Sequence, residues 1–119
     1  MAYFLAVLTI TPQSLVRFRA MPKAEQDALD ARGLSEWEEW DKRNARFLPD
    51  LGGMVGKTLR VSRNGTAPAV NDICGYVVVE ADNIEQAAST FEDHPHITTF
   101  LGDSIDIMPF LSGPASIVR

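Results

Sequence analysis

The sequence predicts an α+β fold of the ferredoxin-like kind: a βαββαβ chain with an antiparallel four-stranded sheet and helices packed on one face. Three observations predict it. First, the run from Cys74 to Phe110 reads as a continuous β-α-β unit. It has an apolar strand through Gly75-Tyr76-Val77-Val78-Val79, a helix ending at His94-Pro95-His96, and a strand over Ser104–Phe110. Second, the whole chain orders its elements as strand, long helical connection, strand, strand, helix, strand. Third, at least two strands are apolar on both alternating sets, whereas one helix layer covers one side. The bare side would be an apolar patch that a monomer rarely tolerates. The same face of a second copy, in a two-fold homodimer, is its expected cover; the alternative is the helical connection of residues 12–49 wrapping round.

Each element has a local cause. Residues Ala2 to Ile10 alternate Tyr3, Leu5, Val7 and Thr9 with Phe4, Ala6, Leu8 and Ile10, a strand apolar on both faces. Thr11-Pro12 starts a helix, with Thr as N-cap and Pro at its first position, and Leu15, Phe18 and Met21 turn inward. Pro22 ends that segment. A polar helix over Lys23–Arg32 is expected to stop at Gly33, and Ser35-Glu36-Trp37-Glu38 reads as a capping box that starts a second helix. Its inner stripe is Trp37, Trp40, Phe47 and Leu51, and Asp50-Leu51-Gly52-Gly53 ends it. A strand lies within Met54–Arg63, Arg63-Asn64-Gly65-Thr66 is a turn, and Ala67–Asp72, with Pro68, is a loop. The central strand covers Ile73–Ala81. Asn83 caps the next helix with Gln86 in the reciprocal position, and Ile84, Ala87, Ala88 and Phe91 form its stripe. Pro95 ends it. Gly113 and Pro114 predict a loosely held tail.

Composition narrows the function classes. The 119 residues suit one domain, 1–119, able to bury a real core. A net charge of −5 with scattered basic residues excludes nucleic acid and anionic membranes as expected partners. No run approaches the length of a membrane span. The single cysteine, Cys74, allows no internal disulfide, so a reducing, cytoplasmic setting is expected. Gly52-Gly53 with Gly56 lacks the spacing and ending of a phosphate loop, and there is no nucleophile elbow or dinucleotide fingerprint, so no cofactor is expected.

An ordered set of segments resembles the YCII-related family. It comprises Trp37 with Trp40, Leu51-Gly52-Gly53 through Leu59-Arg60-Val61-Ser62 with Gly65, Gly75-Tyr76, Glu80-Ala81-Asp82-Asn83, His94-Pro95-His96, and Ile105-Asp106-Ile107-Met108-Pro109. The resemblance spans residues 37–110 and, more weakly, the first strand. It implies a dimeric α+β barrel, in which two ferredoxin-like subunits face each other across a pocket for a small molecule. Most such proteins have no established activity. A His-Asp pair proposed for some members places its histidine on the first long helix, where this chain has Trp40 and Asp41. The Asp-Gly-Pro-Phe tetrapeptide of one subgroup is replaced by Thr66–Asp72.

Candidate chemistry centres on the two histidines. His94 stands where a helix hands over to a loop. With Asp72 or Asp93 as partner it is the candidate general acid or base near neutral pH; the bland alternative is a histidine favoured by a helix C-terminus. His96, Trp40 and Tyr76 are candidate ligand-binding residues. Trp37 and Trp40 share a helix face and either line a pocket for a flat ligand or pack in the core. His94 and His96 with Asp93 and Asp103 lack a third ligand at a familiar spacing, so no metal is expected. The expected function is a cofactor-free acid/base enzyme with His94 in proton transfer; the alternative is a non-catalytic binding module using the same pocket, and a third class, a structural interaction protein, would show a filled barrel with no cavity.

Overall fold

The computed structural model describes residues 1–113, and the tail predicted from Pro114 onward lies outside them. Along the chain run β1 (Ala2–Thr9), α1 (Pro12–Ala20), α2 (Lys23–Asn44), a 3-10 turn at Ala45–Phe47, β2 (Asp50–Met54), β3 (Thr58–Ser62), β4 (Gly65–Ala69), β5 (Ile73–Ala81), α3 (Ile84–Thr90), α4 (Pro95–Thr98) and β6 (Ser104–Pro109). β2, β5, β1 and β6 form an antiparallel sheet in that order. This mixed α+β arrangement is consistent with the predicted ferredoxin-like plan. β3 and β4 form a separate two-stranded sheet.

The core lies between the main sheet and the helices. Phe4, Ala6 and Leu8 of β1 and Val77, Val79 and Ala81 of β5 are buried there with Trp40, Leu48, Ala87 and Phe91. Burying each larger side chain contributes about 1.5–3 kcal/mol. The alternate residues of β1, Tyr3, Leu5 and Val7, are half-buried on the other set. Two of the three N-caps read from the sequence, those of Thr11 and Asn83, are present. Thr11 Oγ1 accepts from the Ser14 amide at 3.2 Å, and Asn83 Oδ1 accepts from the Gln86 amide at 2.8 Å. Gln86 Oε1 reaches back to the Asp82 amide at 2.6 Å.

Four expectations are corrected. Gly33 does not end a helix and Ser35 does not begin one, because α2 runs unbroken from Lys23 to Asn44. Gly33 is there for close approach: a Cβ would lie 2.1 Å from Phe100 Cζ. Glu36, instead of closing a capping box, pairs with Arg32 at 2.8 Å and accepts from Thr99 Oγ1. Second, Asp50–Met54 is not a helix stop but the edge strand β2. Its register against β5 shifts between Asp50 and Gly53, where Gly52 takes φ +70° directly over the Tyr76 carbonyl. Any side chain there would collide with backbone, so only glycine lets this edge pair. Third, Thr58–Ser62 does not join the main sheet, and the expected loop supplies its partner β4, with Pro68 opposite Leu59. Fourth, Pro95 does not end a helix. α3 stops at Thr90, and Pro95 opens α4 at the first helical position. The stripe on α3 is also narrower than expected: Ala87 and Phe91 are buried, Ile84 and Ala88 exposed.

Candidate functional site

Two of the cavities among the described residues adjoin α2 and share Trp37, Asp41 and Met54. The larger, about 550 Å³, lies among α1, α2, the ends of β2 and β5, and the segment from α4 to β6. Its walls are mostly apolar: Ile10, Leu15, Phe18, Leu34, Trp37, Met54, Phe100 and Leu101. α2 contributes Asp30, Leu34, Trp37, Glu38 and Asp41, a stripe at helical spacing. Polar groups come from Asp30, Glu38, Asp41, Cys74 and His96. A smaller recess of about 220 Å³ shares Trp37, Asp41 and Met54 and adds Tyr76 with the β2 bulge.

His96 is held on the cleft wall by the backbone around it. Its amide donates to His94 Nδ1 at 3.0 Å, and its Nε2 lies 2.8 Å from the Thr9 carbonyl. A carbonyl only accepts, so Nε2 carries the proton and the lone pair of the neutral ring is on Nδ1. Gly102 lets the loop pass against this ring, since a Cβ there would lie 2.3 Å from Nε2. Burial pushes the His96 pKa below its ordinary value, against the pull of the Thr9 and Ser104 carbonyls and of Asp103. The loop is pinned in turn by Asp103, which accepts from the Thr11 amide at 2.6 Å and from Ser14 Oγ at 3.1 Å. These bonds hold the Asp103 carboxyl below its usual pKa.

Two further groups on the wall, Asp41 and Cys74, lean towards their protonated forms. Burial, then the Glu38 charge, raises the Asp41 pKa. Burial raises the Cys74 thiol, whose Sγ donates to the Leu8 carbonyl at 3.4 Å. Cys74 is therefore a thiol and a poor nucleophile at neutral pH. Among the described residues, no group of three or more His, Cys, Asp or Glu side chains is placed to hold a metal ion. No helix among them is long and apolar enough to cross a membrane.

His94 sits behind this wall and lines neither cavity. It is wholly buried, its ring 4.3 Å from Trp37, 4.6 Å from Trp40 and 5.9 Å from Phe91. Its Nδ1 caps α4, which puts the proton on Nε2, a buried atom with no hydrogen-bond partner. The Trp37 and Trp40 rings pack against the imidazole in T-shaped contacts. Burial, reinforced by His96, lowers its pKa to about 4, so the ring is neutral at pH 7. Asp72 is exposed in the loop before β5, its backbone carbonyl accepting from the Ile10 amide at 2.8 Å. The charges that act on His94 are those of His96 and Asp93, not Asp72. Trp40 is fully buried and donates from Nε1 to the Thr90 carbonyl at 3.1 Å. Of the two tryptophans, Trp37 is the one on the cleft wall. Tyr76 lines the smaller recess. The structure thus brings His96, Trp37 and Asp41 together and leaves His94, Asp72 and Trp40 outside the cleft.

No family model matches the sequence, and no curated protein matches it. Among solved structures, the chain is similar to 5-chloro-2-hydroxyhydroquinone dehydrochlorinase from Burkholderia phenoliruptrix AC1100, solved in complex with 2,5-dihydroxybenzoquinone. The TM-score is 0.54 over 95% of this chain and 96% of that one, at 11% identity. At that identity the likeness is one of fold, and it supports the α+β group that the family resemblance implied.

Proposed function

We propose that the chain binds a small, flat, largely apolar molecule in the cleft beside Trp37, and that His96 handles a proton there as a cofactor-free acid/base group. The observation that carries this reading is the cleft itself. Its volume is that of small-molecule sites, and its polar groups are few and convergent. A neutral imidazole anchored through Nε2 keeps its lone pair on Nδ1, the nitrogen that would take up the proton. In this reading His94 is a positioning residue, since its Nδ1 fixes the backbone of His96. The similar solved enzyme, whose complex holds a flat oxygenated ring, is loosely compatible with it.

Charge defines the ligand class further. Asp30, Glu38 and Asp41 line the cleft, and no Lys or Arg among the described residues does. The walls therefore favour a neutral or cationic aromatic over an anion. Matched probes test this: naphthylmethylamine, naphthalenemethanol and naphthoate, followed by tryptophan fluorescence. The amine is expected to bind about tenfold or more tighter than the carboxylate, and Asp30→Asn, Glu38→Gln and Asp41→Asn together to erase the difference. Equal binding of the anion would refute the charge assignment; no binding of any probe would refute the cleft as a site. A His96→Gln variant that keeps affinity but loses proton exchange on a bound ketone separates the enzyme from a binding module.

We further infer a two-fold homodimer through the sheet face away from the helices. Leu5 pairs there with Val78 on one side and Met108 on the other, an apolar row across three strands.

A further inference from the structure

Between β2 and β5 the chain leaves the main sheet and builds an arm from β3 and β4. Among the described residues these strands pair only with each other. Five-residue strands make the arm about 16 Å long. Nearly all of it is exposed: Leu59 by 66% and Val61 by 78%, with Val70 at its base by 78%. Leu59 and Val61 share one face, opposite Pro68 and Thr66. A two-stranded hairpin with both faces in water is marginal, so an apolar stripe on one implies a surface that covers it. Pro68 removes a backbone donor from β4, which discourages growth by strand addition and favours docking through a face.

Charge says what covers it. The arm holds Lys57, Arg60 and Arg63, three of the chain's 11 basic residues, and none of its 16 acidic ones. A cationic arm on an otherwise strongly anionic body is complementary to another copy of that body. We propose that the arm grips a second copy of this chain, laying the Leu59–Val61 face on it while Lys57 and Arg63, at the two ends of β3, meet its excess carboxylates. Met54 and Cys74, which bracket the arm in sequence, both line the cleft, so the arm springs from the cleft's rim. This contact is separate from the open-sheet pairing and is tested apart from it.

The test is sedimentation of the full chain across concentration and salt, for wild type, Leu59→Asp/Val61→Asp and Lys57→Glu/Arg63→Glu. All substituted positions are exposed, and circular dichroism checks the fold. Wild type is expected to self-associate, more weakly as salt rises. Each double variant is expected to weaken association about tenfold or more. Unchanged association in both variants would overturn the arm as an interface and leave the sheet-face dimer standing. A wild type that stays monomeric at high concentration would overturn both, and would reassign the arm to a different, acidic partner.

Discussion

Trp40→Ala is expected to cost about 3–5 kcal/mol, a large share of the stability of a domain this size. Trp40 has no exposed surface, packs 5.0 Å from Phe91 and 4.6 Å from His94, and joins α2 to the end of α3 through Thr90. Truncation would open a cavity and leave the Thr90 carbonyl without its donor. Trp40→Phe keeps most of the packing and loses the hydrogen bond, so a cost of about 1–3 kcal/mol is expected. Denaturant midpoints, compared at equal slope, measure both. Equal costs for the two variants would mean that the indole N–H, which both lose, and not its volume, holds this corner.

Acid is expected to loosen the fold between about pH 6.5 and pH 4 through His94. His94 takes up a proton at about 4 in the folded chain, against an ordinary value of 6.5. Between those values the unfolded chain binds a proton that the folded chain excludes, so stability falls as pH drops. The loss reaches about 3 kcal/mol by about pH 4. The cause is geometric: a protonated His94 would turn Nδ1 from acceptor to donor against the His96 amide and bury a charge among indoles. His96, also lowered by burial, adds in the same direction. Asn retains an acceptor for the cap of α4 and does not titrate. His94→Asn should therefore lower stability at pH 7 yet flatten its decline between pH 6.5 and 4. An unchanged slope in the variant would show that His94 titrates freely.

Much of the fold was legible because its signals are local. The alternation in β1, the Thr11-Pro12 start, the Asn83–Gln86 cap and the apolar run of β5 each rest on neighbouring residues, and each is present. The misreadings came where a residue serves a distant partner. Gly33 has the look of a helix stop, but its reason is Phe100 in another segment. Gly52-Gly53 reads as a terminator because the Tyr76 backbone that Gly52 passes is far away in sequence. Pro95 reads as an end or a start with equal right; the Nδ1 of His94, acting as cap, decides.

The site was legible in kind but not in detail. His94 and His96 lie two residues apart, and nothing in their spacing says which faces the cleft. Trp37 and Trp40 pose the same problem on α2, and in both pairs the tertiary packing sends one ring inward and one to the wall. Asp41 was noted in the sequence only as Trp40's neighbour. The available signal was its place on the stripe Asp30, Leu34, Trp37, Glu38, Asp41, which mixes carboxylates with apolar residues on one face of a helix.

The central claim is that a ligand enters between α1, α2 and the His96 loop. The most direct measurement is an NMR titration with naphthylmethylamine, reading the two indole N–H signals and the two imidazole rings together. The account predicts that Trp37 and His96 shift with one common affinity, while Trp40 and His94 stay near their starting positions. Shifts confined to residues of the opposite sheet face, such as Val78 and Met108, with Trp37 and His96 unmoved, would contradict it.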